Sequence, residues 1–141
     1  MRLTMEIEGE ALPVLLPGEG ADLVAFMSFA VVRGFGAQHP LIALADRLHA
    51  AHGVKMGPLT TFYDGSVEDE EDAEKLELAW QAPAPLHEAL ARTAQALETD
   101  ATAATLARRA GAPGLLDQVY ALLGPLERAE ARGARVRLVY T

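Results

Sequence analysis

Cysteine is absent from the 141 residues, and with it disulfides, thiolate nucleophiles and cysteine-ligated zinc or iron–sulfur centres. Asparagine is absent too, and lysine, serine and isoleucine occur only twice each. So small a stock of serine leaves little scope for a hydroxyl nucleophile. Half of the chain is hydrophobic, yet no apolar stretch approaches the roughly 20 residues that cross a bilayer. After Met1 and Arg2, polar and apolar residues alternate, which is not the core of a secretory signal. These absences predict a cytoplasmic protein with no membrane association. Alanine (27), leucine (21) and arginine (10) dominate instead. That slant is what a GC-rich coding sequence gives, and scarce thermolabile residues also suit a warm-growing organism, so a bacterial source is expected.

The length fits one domain over 1–141, burying about two-thirds of its unfolded-chain surface. Residues 2–8 alternate, with Leu3, Met5 and Ile7 on one side and Thr4, Glu6 and Glu8 on the other, the pattern of a half-buried strand. Residues 134–140 repeat it with Val136, Leu138 and Tyr140 inward and Arg135 and Arg137 outward. Opposite charges on the two wet faces favour adjacent pairing of these strands, each pair contributing roughly 0.2–1 kcal/mol. Residues 11–20 read as a loop, because Pro13, Pro17, Gly18 and Gly20 interrupt any period.

Between the terminal strands, helices are expected. Residues 22–33 lack a clear period; Asp22 as cap and Gly34 as terminator favour a buried helix over a strand. Over 40–52, Pro40 starts and Gly53 stops a helix with Leu41, Leu44, Leu48 and Ala51 on one face. Leu59 to Tyr63 form a short β segment closed by Asp64-Gly65. Ser66 with Asp69 resembles a capping box for the next helix, which Trp80 to Pro85 interrupt. Helices follow over about 85–98, 101–110 and 115–132, the last with Leu116, Val119, Tyr120, Leu123 and Leu126 on one stripe and a kink at Gly124-Pro125. The whole is a two-layer α+β domain: a small sheet holding both terminal strands, covered by four to six helices.

Few residues have the types and spacing that chemistry requires. Asp46, His49 and His52 fall at intervals of three, within about a third of a helix surface, the arrangement of a weak metal site. The zincin spacing is missing, and histidines in a last helical turn are favoured by the dipole without any metal, so no metal is expected. His39 beside Pro40 reads as a cap and His87 as a surface residue. Gly18-Glu19-Gly20 and Gly34-Phe35-Gly36 lack the third glycine of a dinucleotide fingerprint, and no phosphate loop occurs, so no cofactor is expected. The acidic run from Asp64 fails the EF-hand pattern, with Asp69 sixth and Lys75 twelfth. Tyr63 and Asp64 end a strand, a frequent place for functional side chains, and with His49 and His52 they are the candidate catalytic residues of a small enzyme or ligand-binding protein.

Charge carries more information. Residues 1–100 hold 17 acids and 6 bases, net −11, whereas 101–141 hold 3 acids and 6 arginines, net +3. An acidic surface repels phosphate backbones, and little aromatic surface accompanies the arginines, so nucleic-acid binding is not expected. Arg108, Arg109, Arg128, Arg132, Arg135 and Arg137 are expected to pair with the chain's own acids or with an acidic protomer. Residues 64–77 alone hold 8 acids and Lys75, more acid than helix capping uses. The leading expectation is a small acidic non-enzymatic module (adaptor, regulator or immunity-type protein) that binds another protein or a second copy of itself through Glu70, Glu71, Glu74 and Glu77.

Overall fold

The computed structural model describes residues 1–36 and 38–141. Strands β1 (Leu3–Ile7) and β2 (Val14–Leu15) lead through a 3-10 turn at Pro17–Gly20 into α1 (Ala21–Val31). Then come α2 (Pro40–His52), the single turn α3 (Met56–Leu59), β3 (Phe62–Asp64), α4 (Glu70–Leu78), α5 (Pro83–Thr99), α6 (Ala101–Arg109), α7 (Leu115–Ala131) and β4 (Val136–Tyr140). The sheet has the order β2-β1-β4-β3, antiparallel except for the parallel pair β3–β4. This is the expected α+β architecture with both terminal strands in one small sheet. Glu6 stands opposite Arg137 in the register, and the Glu8 N–H donates to the Arg135 carbonyl at 2.9 Å, as the alternating charges predicted.

Leu3, Met5 and Ile7 face the helices with Val136 and Leu138 and join Phe26, Leu44, Leu90, Leu122 and Leu126 in one core. α5 packs along α7, and α2 lies on α1 and α6. Close approach requires glycine at position 20: a Cβ on Gly20, whose φ is +67°, would come 2.8 Å from the Leu3 Cβ. Two helix starts are capped from each other's elements. The Gln118 side chain of α7 accepts the Leu23 N–H at 2.8 Å, while the Asp22 carboxylate of α1 accepts the Gly114 N–H at 2.7 Å. Side-chain acceptors of this kind satisfy amides that a helix cannot pair itself.

Several local expectations change. The 11–20 loop contains the edge strand β2, which pairs Val14 with Met5 and Leu15 with Thr4 between Pro13 and Pro17. The β segment shrinks to Phe62–Asp64 because Gly57 and Pro58 enter the turn α3, whose carbonyls take the Thr60 and Thr61 hydroxyls. Ser66 is not the cap of α4. Its N–H donates to Asp64 Oδ1 at 2.8 Å, and Asp69 caps the helix by accepting the Asp72 N–H at 2.9 Å. α5 begins at Pro83, since both Pro83 and Pro85 lie in a first turn where no intrahelical donor is needed. α7 runs unbroken through Pro125. Its Tyr120, expected inward, is 46% exposed, as are Val31 (49%) and Val32 (38%) at the end of α1.

Candidate functional site

Five of the nine residues of α4 are acidic. Glu70, Glu71 and Asp72 occupy the first turn, where free amides and the positive dipole end favour carboxylates. Glu74 and Glu77 lie beyond that help. Glu71 meets Lys75 at 3.4 Å and Glu77 reaches Arg137 at 3.7 Å, whereas no ion pair forms at Glu70 or Glu74 among the described residues. No residue of α4 is buried, and Leu78 at its end is 75% exposed. The helix thus contributes no side chain to the core.

One side chain ties it down. Arg137, on the outer face of β4, donates through Nη1 to the Leu76 carbonyl at 3.0 Å, and its Nε pairs with Glu6. Its guanidinium lies 4.2 Å from the centre of the Trp80 ring, a cation–π contact. Arg137 therefore closes the C-terminal carbonyls of α4 against the sheet. A second tie lies ahead of the helix. Gly65 donates its N–H to the Tyr140 carbonyl at 2.8 Å and sits so close that a Cβ there would fall 2.6 Å from Val139 Cγ1. This contact explains why Val139, on the outer face, is only 5% exposed.

The remaining arginines of the C-terminal third are largely neutralised within the chain. Arg128 and Arg132 share Glu10 at 3.0 and 2.5 Å, and Arg135 meets Glu8 at 2.5 Å. The Arg135 and Arg128 hydrogen bonds hold the Glu8 and Glu10 carboxyls below their ordinary range. Arg108 donates to the Thr105 hydroxyl at 3.1 Å instead.

Tyr63 and Asp64 border a cleft of about 420 Å³ with Ser66, Asp72, Lys75 and Tyr140. Neither His49 nor His52 lines it, so the four candidate catalytic residues are not gathered into one pocket. The candidate metal ligands separate as well. Asp46 faces Arg33 at 3.6 Å, the His49 Nδ1 sits 3.2 Å from the Val54 carbonyl, and the His52 Nε2 lies 2.7 Å from Asp100 Oδ2. Among the described residues no group of three His, Asp or Glu is placed to hold a metal ion.

Asp100 is the residue the sequence reading missed. It stands between α5 and α6, accepts Arg47 Nε at 2.6 Å and the His52 ring, and caps α6 through the Thr102 and Ala103 amides. An Asp followed by Ala-Thr-Ala at a helix junction was the available signal. The Arg47 guanidinium, then His52, holds its carboxyl well below the ordinary value of 3.8. A carboxyl with a depressed folded-state pKa stabilises above its unfolded pKa, and the stabilisation is lost as pH falls toward the folded one. The urea midpoint of wild type should therefore exceed that of Asp100→Asn at about pH 5, and the margin should shrink as pH falls below about 4. A margin independent of pH would contradict the ion pair.

No helix among the described residues is long and apolar enough to cross a membrane. No family model matches the chain, and neither a curated protein nor a solved structure matches it.

Proposed function

We propose that the protein is a non-enzymatic protein-binding module, in the manner of an adaptor, regulator or immunity-type protein, whose α4 docks on a basic protein surface. The observation that carries this reading is an ordered nine-residue helix with no buried residue and with Glu70, Glu71 and Glu74 turned to solvent. A helix so short is marginal by itself in water, and i to i+4 acid pairs such as Glu70–Glu74 cost a few tenths of a kcal/mol each. The acid beyond the first turn, Glu74 above all, thus adds nothing to folding and is suited to an external cation-rich partner. Association of this kind is steered by charge and weakens as salt rises. The cysteine-free composition agrees with action in a reducing, bacterial cytoplasm, and the net charge of −8 disfavours nucleic acid as the partner.

A small enzyme acting in the Tyr63/Asp64 cleft has less support. Asp64 is engaged by the Ser66 amide, Lys75 by Glu71, and no histidine lines the cleft. The experiment is a variant with Glu70, Glu71 and Glu74 changed to Gln, used as bait beside wild type at low salt. Wild type should retain a protein that the variant does not, and equal retention would defeat the reading.

A further inference from the structure

We infer that one partner of α4 is a second copy of this chain, which receives the helix in a notch between α5, α6 and α7. The inference rests on the reading of α4 as a docking helix and names what it docks on. The notch has a volume of about 120 Å³ and is walled by Leu97, Ala107, Ala112, Pro113 and Leu116, with Arg108 at its rim. Small-molecule pockets run to about 300–1,000 Å³, so this hollow is too small for a metabolite. It equals the volume of roughly four waters, which suits a single aliphatic side chain. Its lining is apolar, so water held there gains few hydrogen bonds. A partner residue that displaces that water anchors an interface.

Charge complementarity selects the occupant. Arg108 is exposed and, unlike Arg128, Arg132, Arg135 and Arg137, forms no ion pair with a carboxylate of its own chain among the described residues. What fits is an aliphatic side chain flanked by acid. The chain carries that pattern on its own surface, because Leu78 is 75% exposed and Glu74 lies one helical turn before it on the same side. Leu78 entering the notch would set Glu74 toward Arg108, the helix-in-groove mode with one apolar anchor.

The two surfaces are different patches, so the contact is head-to-tail and grows into a ring or an open chain rather than stopping at a two-fold dimer. The net charge of −8 opposes association over long range. At 0.15 M salt that repulsion is screened beyond about 8 Å, while the contact pair is not.

Sedimentation equilibrium of the full chain at physiological salt tests this. Wild type should show mass rising with concentration up to about 1 mM, the regime of small interfaces. Leu78→Ser and Arg108→Glu alter exposed side chains and should fold normally by circular dichroism, yet each should weaken association about tenfold or more. Glu74→Lys should do the same, and an equimolar mixture of Arg108→Glu with Glu74→Lys should associate where neither does alone. A wild type that stays monomeric, or an Arg108→Glu variant that associates like wild type, overturns the assignment of a second copy. Neither result touches retention of another protein by α4, which the Glu-to-Gln bait decides separately.

Discussion

Replacing Arg137 by alanine is expected to release α4 while the rest of the domain stays folded. The substitution removes at once the donor to the Leu76 carbonyl, the partner of Glu6 and the cation on the Trp80 face. Hydrogen bonds to charged groups contribute about 1.5–3 kcal/mol each, and the freed Glu6 regains part of its hydration because it is half-buried, so a net loss of about 2 kcal/mol is expected. The larger signature is local. With no buried residue of its own, α4 is otherwise anchored only from beyond its end, by buried Ala79 and by Gln81 paired with Val136. Amides 74–78 should therefore lose hydrogen-exchange protection relative to those of α5. Arg137→Lys should rescue little, because an ammonium cannot fork between a carboxylate and a carbonyl while stacking on an indole. Protected α4 amides in Arg137→Ala would show that the helix is held by something other than this residue.

The second large effect is expected at Gln118, 3% exposed and one of two buried polar residues among those described, the other being Thr93. Alanine there leaves the Leu23 N–H without an acceptor at the buried start of α1, which costs about 1–3 kcal/mol. Gln118→Leu restores volume but not the acceptor, so it should be nearly as damaging. Gln118→Glu keeps an oxygen in place but buries a carboxylate beside that of Asp22, so at neutral pH it should be at least as damaging as alanine. Urea midpoints of the three variants check the order, and a Leu variant as stable as wild type would mean that the hydrogen bond contributes nothing net.

Legibility in the sequence followed how local the determining interaction is. The terminal strands were readable because a period of two and opposite wet-face charges both point to the same pairing, Glu6 with Arg137 and Glu8 with Arg135. Helix α2 was readable from Pro40 and Gly53, which act within a turn. What escaped were groups whose roles are set by distant segments. Asp100 gains its role from Arg47 and His52, about fifty residues earlier, and Gln118 from Leu23, 95 residues away. The helical spacing of Asp46, His49 and His52 was correctly seen, but each side chain is taken by a different neighbour that spacing does not reveal. Similarly, Tyr120 fits the expected α7 stripe, yet the buried face runs through Leu115, Gln118, Val119, Leu122 and Leu126, which leaves Tyr120 beside it and half exposed.

The acidic run was legible as a composition and its surroundings were not. Ser66 looked like a cap because the spacing suited it, but the Asp64 side chain and the Tyr140 carbonyl hold residues 65 and 66 in a turn, which moves the helix start to Glu70. Nor does the sequence reveal that Glu77 lies near Arg137 and that four of the six C-terminal arginines are occupied internally. That occupation narrows the docking face to Glu70, Glu71 and Glu74, with Leu78 beside them.

The measurement closest to the central claim is the urea midpoint of the Glu70, Glu71 and Glu74 to Gln variant, taken together with its retention of partner at low salt. If these carboxylates exist for contact rather than folding, retention is lost while stability falls by no more than about 1 kcal/mol, because relieved Glu70–Glu74 repulsion offsets part of the lost first-turn dipole and Glu71–Lys75 contacts. A loss of stability well beyond about 1 kcal/mol, or retention equal to wild type, would contradict it.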